Sequence, residues 1–190
     1  MIRKALHTAF LTLIFSLLIY AIEYNVEKSP RNLVKFISDA PMEDFEGTTS
    51  SIDGYIKWDG EDLTSKSDLY FEVDLRTLDT GIGLRNRHMR DNYLHTDRYP
   101  YASFRGRVIK ADRKDNNSYN TTTEGKMTIH GVTKPVKIEG IMTYEKNGFR
   151  IKSSFSIKLT DYSIEVPKLM FMKISDKIDL VADFLITKKQ

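Results

Sequence analysis

The chain of 190 residues is about the length of one domain and long enough to enclose a sizeable core. Hydrophobic residues at 41% and charged residues at 29% exclude a disordered or collagen-like chain, while 10 Tyr, 10 Phe and 1 Trp against 10 Gly and 5 Pro suit strands that pack broad side chains. A net charge of +3, with Lys and Arg scattered among Asp and Glu, leaves no basic stripe for nucleic acid, and the lack of cysteine excludes a disulfide framework, a thiolate zinc site and a cysteine nucleophile.

At the N-terminus, Arg3 and Lys4 precede an apolar run at 9–22 (AFLTLIFSLLIYAI), and polarity rises abruptly at Glu23. This predicts an export signal peptide, or an uncleaved N-terminal anchor, over 1–22, followed by a folded domain over 23–190. Either form puts the domain outside the cytoplasmic membrane.

Beyond Leu33 the dominant signal is alternation of apolar and polar residues, which places every second side chain on one face of a strand. Strands are expected at 33–38, 45–50 and 52–58. Leu69, Phe71, Val73 and Leu75 then alternate with Tyr70, Glu72, Asp74 and Arg76. Phe104, Gly106 and Val108 alternate with Ser103, Arg105 and Arg107. The stretch 112–124 (DRKDNNSYNTTTE) reads as a polar loop leading into a strand with Met127 and Ile129 on one face. Further inward sets are Val136, Ile138, Gly140, Met142 and Tyr144; Phe149, Ile151, Phe155, Ile157 and Leu159; and Ile178, Leu180, Ala182, Phe184 and Ile186. Hairpin turns are predicted at Asp59-Gly60, His130-Gly131 and Asn147-Gly148. The class is all-β and antiparallel, with eight or nine strands that hide their apolar faces by closing into a barrel or stacking two sheets.

Two stretches break the alternation, 80–100 and 161–176, and short helical segments are expected near 84–95 and 161–176. Leu84, His88, Asp91 and His95 fall near helical spacing, and Leu169, Met170, Phe171 and Met172 form an apolar run with no polar face. Arg85, His88 and Arg90 are candidates for a polar mouth that receives an anionic or carbonyl head group; the competing reading pairs the arginines of this cluster with nearby acids or carbonyls. Motifs for chemistry are scarce. His88 and His95 would need another ligand to hold a metal, there is no H-E-x-x-H and no G-x-S-x-G, and Gly81-Ile82-Gly83 reads as a bend.

In order along the chain, Leu78-Asp79-Thr80-Gly81 with Arg85, His88 and Met89, then Tyr99-Pro100, then Thr128-Ile129-His130-Gly131-Val132-Thr133-Lys134-Pro135 resemble the YceI-like family. The likeness covers nearly all of the chain after residue 22. It implies an extended, lipocalin-like antiparallel β-barrel of about eight strands, exported to the periplasm, that holds a polyisoprenoid or isoprenoid quinone in its lumen and has no catalytic residues. The chain departs from the family pattern after the first strand, where Phe36-Ile37-Ser38-Asp39-Ala40-Pro41 stands in place of a histidine-bearing segment, so ligand identity is not carried over.

The resulting expectation is a non-catalytic lipid-binding protein, periplasmic or held at the inner membrane by 1–22, with no metal or cofactor beyond a bound isoprenoid lipid or quinone. Its partner is a long hydrophobic ligand, and a homodimer is compatible with the sequence. The expected lumen is lined by Phe36, Phe45, Trp58, Phe71, Val73, Phe104, Val108, Met127, Ile129, Ile138, Met142, Phe155 and Ile157, with Leu169, Met170, Phe171 and Met172. Arg85, His88 and Arg90 stand at the mouth. The alternatives are a secreted stress or interaction protein with a filled barrel, and a metal-dependent hydrolase using His88, His95 and nearby acids.

Overall fold

Strands that are apolar on one face have nowhere to hide it but against one another, and here they close into an antiparallel barrel. The computed structural model describes residues 22–39, 44–58, 62–169 and 172–189. In chain order the strands are β1 (Ile22–Val26), β2 (Leu33–Ser38), β3 (Phe45–Thr49), β4 (Ile52–Trp58), β5 (Asp68–Asp74), β6 (Tyr101–Arg113), β7 (Ser118–Ile129), β8 (Val132–Glu145), β9 (Gly148–Lys158), β10 (Lys168–Leu169), β11 (Met172–Lys173) and β12 (Lys177–Lys188). One short helix, α1 (Gly83–His88), continues into a π turn over Met89–Leu94. Within 161–176 the helical content is a 3-10 turn, Thr160–Tyr162, followed by the small β10–β11 hairpin.

β1 pairs with both β4 and β12, which closes the ring β1-β4-β5-β6-β7-β8-β9-β12. β2 and β3 prolong β1 and β4 toward the other end, where β2 also pairs with β12 and Thr48 bridges to Asp79. Closure pairs every strand of the ring on both sides over at least part of its length. β1 escapes the alternation because it abuts the apolar run; Ile22, the last residue of the expected leader, already pairs with Trp58. Residues 1–21 and the Asp59-Gly60 turn lie outside the described residues.

The polar stretch 112–124 is mostly strand. β6 runs to Arg113, β7 starts at Ser118, and only 114–117 turns the chain. Threonine suits a strand by its β-branching, and Thr121 and Thr123 donate their hydroxyls to the carbonyls of Gly140 (3.3 Å) and Ile138 (3.2 Å), so polarity here does not mean loop. His130 and Gly131, with φ of 52° and 74°, form the expected tight turn between β7 and β8. The next turn is shifted by one residue: Lys146 and Asn147 form it, with Lys146 at φ 47°, and Gly148 is already paired with Glu145. Gly148 is needed for closeness, since a Cβ there would lie 1.9 Å from the Ile186 carbonyl on β12.

The two ends differ. At one, Tyr24 stacks on Trp58 with ring centroids 4.8 Å apart, and Phe149 meets both edge-on, at 5.4 and 6.1 Å. This aromatic plug also pushes the Tyr24 phenol pKa up by burial. At the other end stand α1, the β7–β8 turn and the 3-10 turn after β9. Toward that end the β8–β9 ladder stops at Gly140 and Ser153, leaving the first half of β8 unpaired with β9; Pro135, which has no N–H to give, sits in that half.

Candidate ligand-binding lumen

The apolar faces do not meet in the middle. Phe36, Phe45, Phe71, Ile138, Phe155 and Ile157 point inward yet remain only half-buried, because they border a cavity of about 630 Å³. A filled core at native packing density would bury them. The volume lies within the range of sites for small molecules and cofactors, roughly 300–1,000 Å³.

Val73, Phe104, Val108, Met127, Ile129 and Met142 also border the cavity, the last five as buried residues. Trp58 does not border it. Its side chain, expected in the lumen, is buried in the aromatic plug instead, stacked on Tyr24. Met170 and Phe171 lie outside the described residues, and of Leu169 and Met172 only the backbone pairing is described. Ser38 was not picked out by sequence. It borders the lumen fully buried, and its hydroxyl has no hydrogen-bond partner among the described residues.

At the mouth, the helical spacing 85–89–93 is the one that matters: Arg85, Met89 and Tyr93 all border the cavity, with Leu84 and His88. Asp91 and His95 fall off that face because the π turn changes the phase after His88. Arg90 does not border the cavity either. His95 instead pairs with His130, Nδ1 to Nε2 at 2.8 Å, and His130 Nδ1 lies 3.3 Å from the Tyr162 carbonyl. A carbonyl can only accept, so His130 donates to it from Nδ1. The His95–His130 pair ties the residue that ends the π turn to the β7–β8 turn, and the Tyr162 carbonyl ties that turn to the 3-10 turn after β9, with Tyr99 edge-on against His130. Among the described residues no group of three or more His, Asp or Glu is arranged to hold a metal ion.

The Leu78-Asp79-Thr80-Gly81 motif builds the mouth rather than chemistry. Asp79 exchanges backbone hydrogen bonds with Thr48, and its Oδ1 accepts from Gly81 N (2.8 Å) and Asn86 Nδ2 (2.7 Å). Asn86 Oδ1 in turn accepts from Thr80 N and Oγ1. Arg85 spends its Nε on Thr80 Oγ1 (2.9 Å) and an Nη on the Thr80 carbonyl (2.7 Å), while its guanidinium covers the Phe45 ring at 4.8 Å. Arg85 thus joins both earlier readings: it braces the mouth and faces the lumen.

The hydrogen bond from Asn86, followed by that from Gly81, holds the Asp79 carboxyl below the ordinary aspartate range of about 3.9. A depressed pKa stabilises the folded mouth above the ordinary range, and that contribution is lost as pH falls through the lowered value. The Gly81 amide is therefore expected to shift in NMR spectra only in strongly acidic solution, and Asp79→Asn should remove the step. A Gly81 titration unchanged in Asp79→Asn would contradict the network.

A closed up-and-down barrel, plugged at one end and hollow with a polar-rimmed mouth at the other, defines a β-barrel of the ligand-enclosing class. The YceI-like domain pattern matches residues 24–185, and the chain belongs to that family. It is 27% identical over 153 residues to UPF0312 protein YE1254 of Yersinia enterocolitica, covering 76% of this chain and 77% of the relative. Among solved structures it is similar to BcnA of Burkholderia cenocepacia, with a TM-score of 0.70 and 17% identity over 84% of this chain and 98% of that one. It is also similar to a polyisoprenoid binding domain from Saccharophagus degradans, with a TM-score of 0.65 and 17% identity over 87% of this chain and 98% of that domain. Likeness at such identities concerns the fold.

Proposed function

We propose that this protein binds one long apolar lipid, of isoprenoid or isoprenoid-quinone type, in its lumen, and that it carries or sequesters the lipid outside the cytoplasmic membrane without chemical change. The observation that carries this reading is the hollow apolar interior: large inward side chains left half-buried around a cavity of about 630 Å³. Uncovered apolar surface of this kind is costly in water and is relieved by an apolar guest. The name of the Saccharophagus degradans domain supports an isoprenoid class of guest. The apolar run at 9–22 behind Arg3 and Lys4 supports export.

Met127 and Met142, unbranched and adaptable, let the lining fit an irregular chain. The guest's tail would lie against Phe71, Phe104, Ile138 and Phe155, and its head would stand near Arg85 and His88. Organic extraction of protein purified from its own host, followed by mass spectrometry, is expected to release a stoichiometric isoprenoid lipid. An extract without apolar small molecules would favour the interaction-protein reading and overturn this one.

A further inference from the structure

Most large apolar side chains of the barrel are enclosed by the wall, but two at the mouth stand out: Ile82 is 52% exposed and Leu84 61%. They flank Gly83 at the start of α1, and both also border the lumen, so the exposed pair is continuous with the apolar interior. Large exposed apolar groups beside an opening mark a surface that meets something.

The charge around them says what. The segment 81–94 carries Arg85, Arg87 and Arg90 against the single acid Asp91. Arg87 and His88 are exposed, and neither side chain has a hydrogen bond or ion pair among the described residues. The lip that presents them is fixed by Asp79, Thr80, Arg85 and Asn86, so it offers its apolar tip without an ordering cost. An apolar tip beside Arg87, whose guanidinium has no partner among the described residues, and Arg90, which also acts electrostatically on Asp79, matches a bilayer interface, where acyl chains lie beneath a layer of phosphates.

We propose that this lip docks the mouth of the barrel on a bilayer containing anionic phospholipid, with Ile82 and Leu84 entering the acyl region and Arg87 and Arg90 meeting the phosphates. The lipid passes between membrane and lumen along that contact. The inference rests on the lipid-binding reading of the lumen, since a guest so insoluble in water is drawn from a membrane.

Flotation with vesicles of phosphatidylcholine plus phosphatidylglycerol tests it. The full chain is expected to float with these vesicles and far less with phosphatidylcholine alone. Raising salt from about 0.1 M to about 1 M, which shortens the Debye length from about 10 Å to about 3 Å, should release it. Leu84→Asp and the double variant Arg87→Glu with Arg90→Glu should each lower vesicle binding at least about tenfold. Both alter exposed or half-exposed groups, and circular dichroism should show an unchanged fold. Equal flotation of wild type and Leu84→Asp would overturn the proposal. So would a wild-type dimer in sedimentation that Leu84→Asp splits without any change in flotation, because the lip would then cover a second copy. Wild type that carries lipid but does not float refutes docking alone, whereas wild type that floats but carries none refutes the lumen reading.

Discussion

Phe71→Asp is expected to abolish lipid retention and to destabilise the barrel by about 3 kcal/mol, the low end for truncating a buried Phe because the lumen side of the ring is already uncovered. Phe71 projects from β5 between Gly54 and Phe104 on the neighbouring strands, and its ring meets Phe184 edge-on across the interior at 4.9 Å. Removing the ring opens that contact, and a carboxylate in its place, set between Gly54 and Phe104 and facing Phe184, must drag water inward. Urea denaturation measures the first consequence and mass spectrometry of extracts the second. Wild-type lipid content in Phe71→Asp would mean that the guest, if any, lies elsewhere.

Trp58→Ala is expected to cost more stability, about 3–5 kcal/mol, and to leave lipid content unchanged. Trp58 is 9% exposed, stacked on Tyr24 and capped by Phe149, and no part of it borders the lumen. The two variants therefore separate the plug from the lumen: both destabilise, but only one empties the protein. Loss of lipid from a folded Trp58→Ala would show that the cavity reaches through the plug.

The contrast between Phe71 and Trp58 also marks what sequence could reveal. Alternation identifies which face of a strand turns inward, and it did so for β5, β9, β12 and for β8 as far as Met142, because a single residue of slip would turn each greasy set outward. Tyr144, expected inward, lies beyond the enclosed part of β8 and is 52% exposed. It carries no information on depth along the barrel, so a plug residue and a lumen residue look alike. The helical mouth was legible from the broken alternation, and Leu84, Arg85 and His88 do border the lumen, but its face beyond His88 was not legible, since the π turn shifts Tyr93 inward and His95 outward. β7 was hidden by lumen threonines that take their partners from β8 carbonyls. The His95–His130 pair joins residues 35 apart, and only the closed ring brings them together. Hollowness itself depends on side-chain volumes meeting across the barrel, which a linear pattern does not encode.

The most direct measurement is a crystal structure of the protein isolated from its host without delipidation. Continuous elongated density running from the mouth at Arg85 and His88 down past Phe71 and Phe155 to the plug is the predicted result. A lumen holding only ordered water, or one collapsed so that Phe36, Phe71 and Phe155 fill it themselves, would contradict it.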